Sequence, residues 1–156
     1  MNHLIVLFSP IAILCTAVVF GTDMFFLTIG RPALKLASAS ASTEVMGFLH
    51  LIADTRMPFW AISAMLLNLL LAILTGHQQR WFYFASLLML IGFTIGYLRL
   101  SKPINQIQTR AAKNGETLPN ARELQASWDR SLLLRVPLLT VSLLAQCFAL
   151  LIASAF

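Results

Sequence analysis

Four long apolar runs set the plan of the chain. The first spans about residues 4–29, the second 57–75, the third 81–98 and the fourth 136–155. A spanning helix needs about 20 apolar residues, so each run can cross a bilayer once. The pattern predicts an all-α fold: a membrane-spanning four-helix bundle, one domain over residues 1–156, with helices 3 and 4 extended into the cytoplasm. Pro10 begins or kinks the first span, and Ala12, Thr16 and Gly21 supply small residues for close helix approach. Gly30-Arg31-Pro32 reads as a stop. Residues 33–42, small and polar, read as a short loop, with Ser42 or Thr43 capping the next helix and Glu44 in its first turn.

Helix two is expected from about Thr43 to Thr75, longer than a bilayer requires, so its first turns stand in the interface. Pro58 frees the carbonyl of residue 54 and permits a kink. Asn68 is the one polar group read as deep, and it suits interhelical bonding. Gly76 to Arg80 reads as a tight loop with His77 solvated. Trp81 and Tyr83 open span three as an aromatic belt, and Gly92-x-x-x-Gly96 favours close helix contact within or between chains. The segment from Arg99 to Arg135 is the long polar one. Ile104 to Lys113 reads as a helical extension ended by Asn114-Gly115, and Asn120 with Glu123 marks a new start. Leu124, Trp128, Leu132 and Arg135 then share one stripe. In span four, Ala145, Ala149 and Ala153 form a small-residue packing stripe.

Composition agrees with this plan. Of 156 residues, 58% are hydrophobic and 11% charged, and mean hydropathy is +0.80, whereas soluble domains carry about 25% charged residues. The net charge of +5 changes the picture mainly through its placement. Arg31 and Lys35 follow span one, and Arg99, Lys102, Arg110, Lys113, Arg122, Arg130 and Arg135 follow span three, against little beyond Arg80 on the other side. The bias places both basic loops in the cytoplasm and both termini outside it, in an inner (plasma) membrane. No basic patch interleaved with aromatics points to nucleic acid. The opening Met1-Asn2-His3 lacks the basic region of a signal peptide, so the first run reads as a retained span. Cys15 and Cys147 lie in apolar runs without a CxxC and read as small hydrophobes.

Candidate chemistry gathers at the cytoplasmic mouth of span two. Leu49 to Trp60 brings His50, Asp54 and Arg56 to the edge of an apolar run, where charges must be paired or face a wet cavity. His50 and Asp54, four apart, share a helix face. They suit an oriented base or two ligands of a metal. With no HxxxH, no ExxH and no nearby Cys, no metal is assigned. A haem would need His50 or His3 as axial ligand, and nothing selects it. The bland alternative pairs Asp54 with Arg130 or Arg135 and lets His50 bond a neighbouring helix. Asp23, one turn from the end of span one, can pair with Arg31, with Lys35 or with a cation of another span.

Gly21-x-x-x-Phe25 followed by Arg31-Pro32, then Met57-Pro58, then Pro103-Ile104-Asn105, then Trp128 and Arg135 seven apart, resembles the anthrone oxygenase family. Its members are small four-helix membrane proteins, most of them of unknown function. The resemblance is spread over most of the chain, though its motifs are short. The family often has His or Asn between the Trp and the Arg, where this chain has Leu132. The resemblance implies oxidation of an anthrone to an anthraquinone by dioxygen without a cofactor, with Asn105, Trp128 and Arg135 lining the substrate end. Such chemistry needs a base and a cation for the resulting oxyanion. His50 with Asp54 fits the first role and Arg56 or Arg135 the second. Trp60 and Trp128 are expected to sandwich a flat aromatic. Three readings stay open: an oxygenase-like enzyme or binder of a hydrophobic aromatic or quinone-like molecule; a non-catalytic subunit or scaffold, with a homo-oligomer allowed; and a small transporter acting as an oligomer.

Overall fold

A computed structural model describes residues 3–154. They fold into four long helices: α1 (His3–Leu36), α2 (Ala39–Leu74), α3 (Gln78–Asn114) and α4 (Ala121–Ile152), each long and apolar enough to cross a membrane. This is the architecture of a multi-pass integral membrane protein. The helices form a closed ring: α1 packs on α2, α2 on α3, α3 on α4, and α4 returns to α1. Alternating direction puts the turns at 37–38 and 115–120 at one end, together with most of the basic residues. This polar end carries the site described below.

The helix boundaries differ from the expected spans for local reasons. α1 does not stop at Gly30. Its backbone widens into a π-helical segment, Phe26–Gly30, where the Arg31 N–H reaches the Phe26 carbonyl. Pro32 lacks an N–H, so the wider turn absorbs the lost bond and the helix continues to Leu36. The expected loop over 33–42 is therefore reduced to Ala37 and Ser38. Ser38, not Ser42 or Thr43, caps α2, its hydroxyl accepting from the Ala41 N–H at 3.1 Å. α3 repeats the device: Tyr97–Ser101 is π-helical, the Lys102 N–H bonds the Tyr97 carbonyl, and Pro103 follows. α3 ends as expected, with Gly115 in the left-handed region at φ 67°, which glycine reaches without steric cost.

Small residues set the close approaches. The Gly92-x-x-x-Gly96 face lies against α4: a Cβ at Gly96 would sit 3.3 Å from Leu134 and one at Gly92 3.7 Å from Leu138. That motif is spent inside the chain. Ala145 and Ala149 are buried, while the side chains of Ala153 and His77 lie outside the described residues. Gly47 is the tightest point. A Cβ there would overlap the Gln108 carbonyl and Ala112 on α3.

Three apolar layers stack along the bundle. One holds Ile5, Leu71, Tyr83 and Ala149. The middle one holds Val19, Ala64, Leu90, Phe93 and Leu139. The layer at the polar end holds Met46, Ile104, Trp128 and Leu132. Asn68 is buried, but it is not alone at depth. Gln146 donates to Thr16 at 2.7 Å and to Ser86 at 2.8 Å. Ser86 meets Ser142 at 2.8 Å, and Tyr83 donates to Ser9 at 2.8 Å. Hydroxyls at single positions inside apolar runs barely alter hydropathy, which is why this deep polar knot was not anticipated.

Candidate functional site

At the polar end, charged and amide side chains from all four helices converge on one cavity of about 590 Å³. Its wall is mainly apolar. The polar groups are Asp23 from α1, His50, Asp54 and Arg56 from α2, Tyr97, Lys102 and Asn105 from α3, and Arg135 from α4, with Trp128 beside them. Leu49, Ile52 and Ile62 of α2 and Leu98 of α3 also line it, and all four are exposed on the outside of the bundle. The cavity therefore opens sideways between α2 and α3. Pro58 lies on this rim.

Two hydrogen-bonded groups build the floor. In the first, Arg135 is ion-paired with Asp23, and its Nη1 donates to the Ser101 hydroxyl at 2.9 Å. Ser101 in turn meets Ser131 at 2.9 Å. The guanidinium is ringed by Phe93, Tyr97 and Trp128, with centroids 5.4, 5.7 and 5.7 Å from its carbon. Cation–π contact of this kind is worth most when desolvated, and Arg135 is 6% exposed. In the second group, the Asp54 carboxylate accepts from the Tyr97 hydroxyl at 2.6 Å and from the Asn105 amide at 2.8 Å. The Trp128 indole N–H donates to the Asn105 carbonyl oxygen at 3.0 Å.

These groups revise the expected pairings. Asp54 does not pair with Arg130 or Arg135; Tyr97 and Asn105 satisfy it instead. Asp23 takes Arg135, the cation of another span among its expected partners, and not Arg31 or Lys35. Arg31 pairs with Asp129 at 3.1 Å, and Asp129 also accepts from Gln125 at 2.9 Å. Of the seven residues the sequence singled out, six line the cavity: His50, Asp54, Arg56, Asn105, Trp128 and Arg135. Trp60 does not. It packs against the middle apolar layer, with Phe59 edge-on at 5.3 Å, so it makes no sandwich with Trp128. The ring facing Trp128 from α1 is Phe26, at 5.2 Å.

Tyr97 and Lys102 were missed as site residues. Tyr97 lies eight positions before Asn105, within one helical stripe. Its place in a π-helical turn, a feature often found at functional sites, carries no sequence signal by itself.

Three buried atoms in the lining have no hydrogen-bond partner: Asp23 Oδ2, Arg135 Nε and His50 Nε2. Buried polar atoms are rarely left so, and all three lie behind the accessible surface of the cavity. The His50 ring lies 5.3 Å from that of Trp128. Among the described residues no three His, Cys, Asp or Glu side chains are grouped to hold a metal ion. Cys15 and Cys147 are free thiols, and His3 is exposed at the opposite end of α1. No family model matches the chain, and no curated protein or solved structure matches it either.

Proposed function

We propose that this membrane protein binds a hydrophobic small molecule, aromatic or quinone-like, which enters its cavity sideways from the bilayer. The polar end faces the cytoplasm on this reading, which the excess of Lys and Arg there supports. One observation carries it: a largely apolar cavity whose rim is built from lipid-facing side chains and whose lining gathers a few charged and amide side chains. That combination, apolar walls with a few converging polar groups, is the usual form of a small-molecule site. The scaffold reading is weakened because the GxxxG face is consumed by α4. The transporter reading is weakened by the middle apolar layer, which separates the deep hydroxyl knot from the charged floor.

A catalytic version has one observation in its favour. His50 lines the cavity one helical turn from Asp54, where a base that takes a proton from an anthrone-like C–H is needed. The resulting carbanion would give its electrons to dioxygen and collapse to a quinone and water, with no cofactor. Asp54 retains a supporting role in this version, and Arg56 or Arg135 is the cation for the oxyanion.

Fluorescence titration of the detergent-solubilised full chain with decylubiquinone tests the binding reading. Saturable quenching that is lost in Trp128→Phe and kept in Trp60→Phe is expected. Quenching that rises without saturation and ignores both substitutions removes it. Native mass spectrometry of gently purified protein, with an absorption spectrum, would identify a retained occupant. The catalytic version adds that His50→Gln abolishes anthrone turnover while quenching by decylubiquinone persists.

A further inference from the structure

The two halves of the chain repeat one another. Phe26-Leu27-Thr28-Ile29-Gly30-Arg31-Pro32 in α1 matches Tyr97-Leu98-Arg99-Leu100-Ser101-Lys102-Pro103 in α3. The two π-helical segments fall on corresponding residues. Arg56-x-Pro58 with Ser63 in α2 matches Arg135-x-Pro137 with Ser142 in α4. In this register Asp23 corresponds to Thr94, Arg31 to Lys102, Asp129 to His50 and Arg135 to Arg56. Because the ring runs α1, α2, α3, α4, the seam between α4 and α1 is the counterpart of the seam between α2 and α3.

The α4–α1 seam is closed by two ion pairs, Arg135 with Asp23 and Arg31 with Asp129. At the corresponding places on the α2–α3 seam both cations remain, as Arg56 and Lys102, but both acids are gone, replaced by Thr94 and His50. All four residues line the large cavity. Among the described residues neither Arg56 nor Lys102 makes a salt bridge; the two bridges are those of the other seam. His50 is 3% exposed and its Nε2 is unpartnered. Asp54 makes no salt bridge with either cation; its Oδ1 accepts from Tyr97 and Asn105. Across the whole lining three cations, Arg56, Lys102 and Arg135, face two acids, Asp23 and Asp54, an excess of one positive charge. A cation at the edge of a membrane span calls for a counter-charge.

We propose that the α2–α3 seam takes a hydrophobic monoanion: a flat apolar body in the cavity and one carboxylate at the rim, held by Arg56 where position 94 lacks the acid, with Lys102 adding positive charge to the same lining. The carboxylate stands in for the side chain that Asp23 supplies on the opposite seam. This rests on the binding reading above and adds the charge of the ligand.

The test compares 1-pyrenebutyrate with its methyl ester, read by energy transfer from tryptophan to pyrene in the solubilised full chain. A charge-assisted bond is worth about 1.5–3 kcal/mol, so the carboxylate should bind on the order of tenfold or more tightly than the ester. Arg56→Gln, at an exposed position, should bring the carboxylate-to-ester ratio close to one. Thr94→Asp, which restores the missing acid within the chain, should exclude the carboxylate. Equal binding of acid and ester in the unmodified protein overturns the charge assignment but leaves the binding reading standing. Binding of neither probe overturns both. If phosphatidylglycerol in the micelle displaces the carboxylate while phosphatidylcholine does not, a lipid phosphate is the seam's anion and the free carboxylate is excluded as its occupant.

Discussion

The α4–α1 seam and the α2–α3 seam are built from corresponding positions, yet in one the cations are sealed into ion pairs and in the other they are left open. On the sealed seam each cation meets an acid of the neighbouring helix. On the open seam Arg56 and Lys102 make no ion pair, and the helices are joined instead by the bonds of Asp54 to Tyr97 and Asn105 and of Thr109 to Gly47. The difference shows what holds the polar end of this bundle together. Where lipid surrounds the helices, apolar side chains gain little by leaving lipid for a protein neighbour. Specific polar pairs and close backbone approach decide which seams close.

The largest effect is expected from breaking the sealed seam. Asp23→Ala leaves Arg135, 6% exposed, as a buried charge without its partner. Loss of one member of a buried pair costs about 3–5 kcal/mol, so the variant should melt far below the unmodified protein in detergent. The pair itself need not be favourable relative to apolar contact, since such pairs are often replaced at no net cost. Asp23→Leu combined with Arg135→Met should therefore recover most of the loss. A double variant as unstable as Asp23→Ala would show that Arg135 also matters through Ser101 and its three aromatic neighbours.

The open seam has its closest backbone approach at Gly47, and breaking that comes second. At Gly47 α2 lies so near α3 that a Cβ meets the Gln108 carbonyl, and the Thr109 hydroxyl donates to the Gly47 carbonyl at 3.0 Å. Backbone cannot step aside as a flexible side chain can. Gly47→Ala should cost about 1–3 kcal/mol as overpacking and should widen the cavity mouth. Thermal melting reads the first effect. The second appears as weaker, faster-exchanging decylubiquinone binding. Unchanged stability would mean that the seam is already loose along its whole length.

Much of this was legible in the chain. Four apolar runs gave four helices, and the His50–Asp54–Arg56 cluster and the Asn105, Trp128 and Arg135 positions all fell on one cavity. What could not be read was partnership across helices. Asp54 and Asp23 are both acids near basic residues, and only the order and rotation of helices assign Arg135 to Asp23. Trp60 illustrates the same limit: being two residues past Pro58 says that it is near the site, not which way it faces. The continuation of α1 through Gly30-Arg31-Pro32 was hidden because a glycine before a proline ordinarily ends a helix. A π turn, which exchanges one lost bond for a longer one, has no distinctive composition. The repeat of an aromatic residue, four intervening positions and a basic residue before proline in α1 and α3 was in the sequence all along, and it is the feature that relates the two seams.

The smallest effect concerns the second ion pair of the sealed seam. Arg31 and Asp129 meet at 3.1 Å, but the Arg31 side chain is 33% exposed, so water and salt screen the attraction. Exposed pairs contribute about 0–1 kcal/mol. Asp129→Asn also keeps the shape of the side chain and an oxygen to accept the Gln125 amide, now held at 2.9 Å. The expected shift in melting temperature is therefore small and should shrink further at high salt, where the Debye length falls to about 3 Å at 1 M. The same substitution makes this position neutral, as its counterpart His50 is when uncharged. If stability barely changes but the α4–α1 seam begins to admit 1-pyrenebutyrate at Arg31, seen as a second binding event, the missing acids are what open a seam. A large loss of stability with no new binding would instead assign the gap between α2 and α3 to Pro58 and the shape of α2.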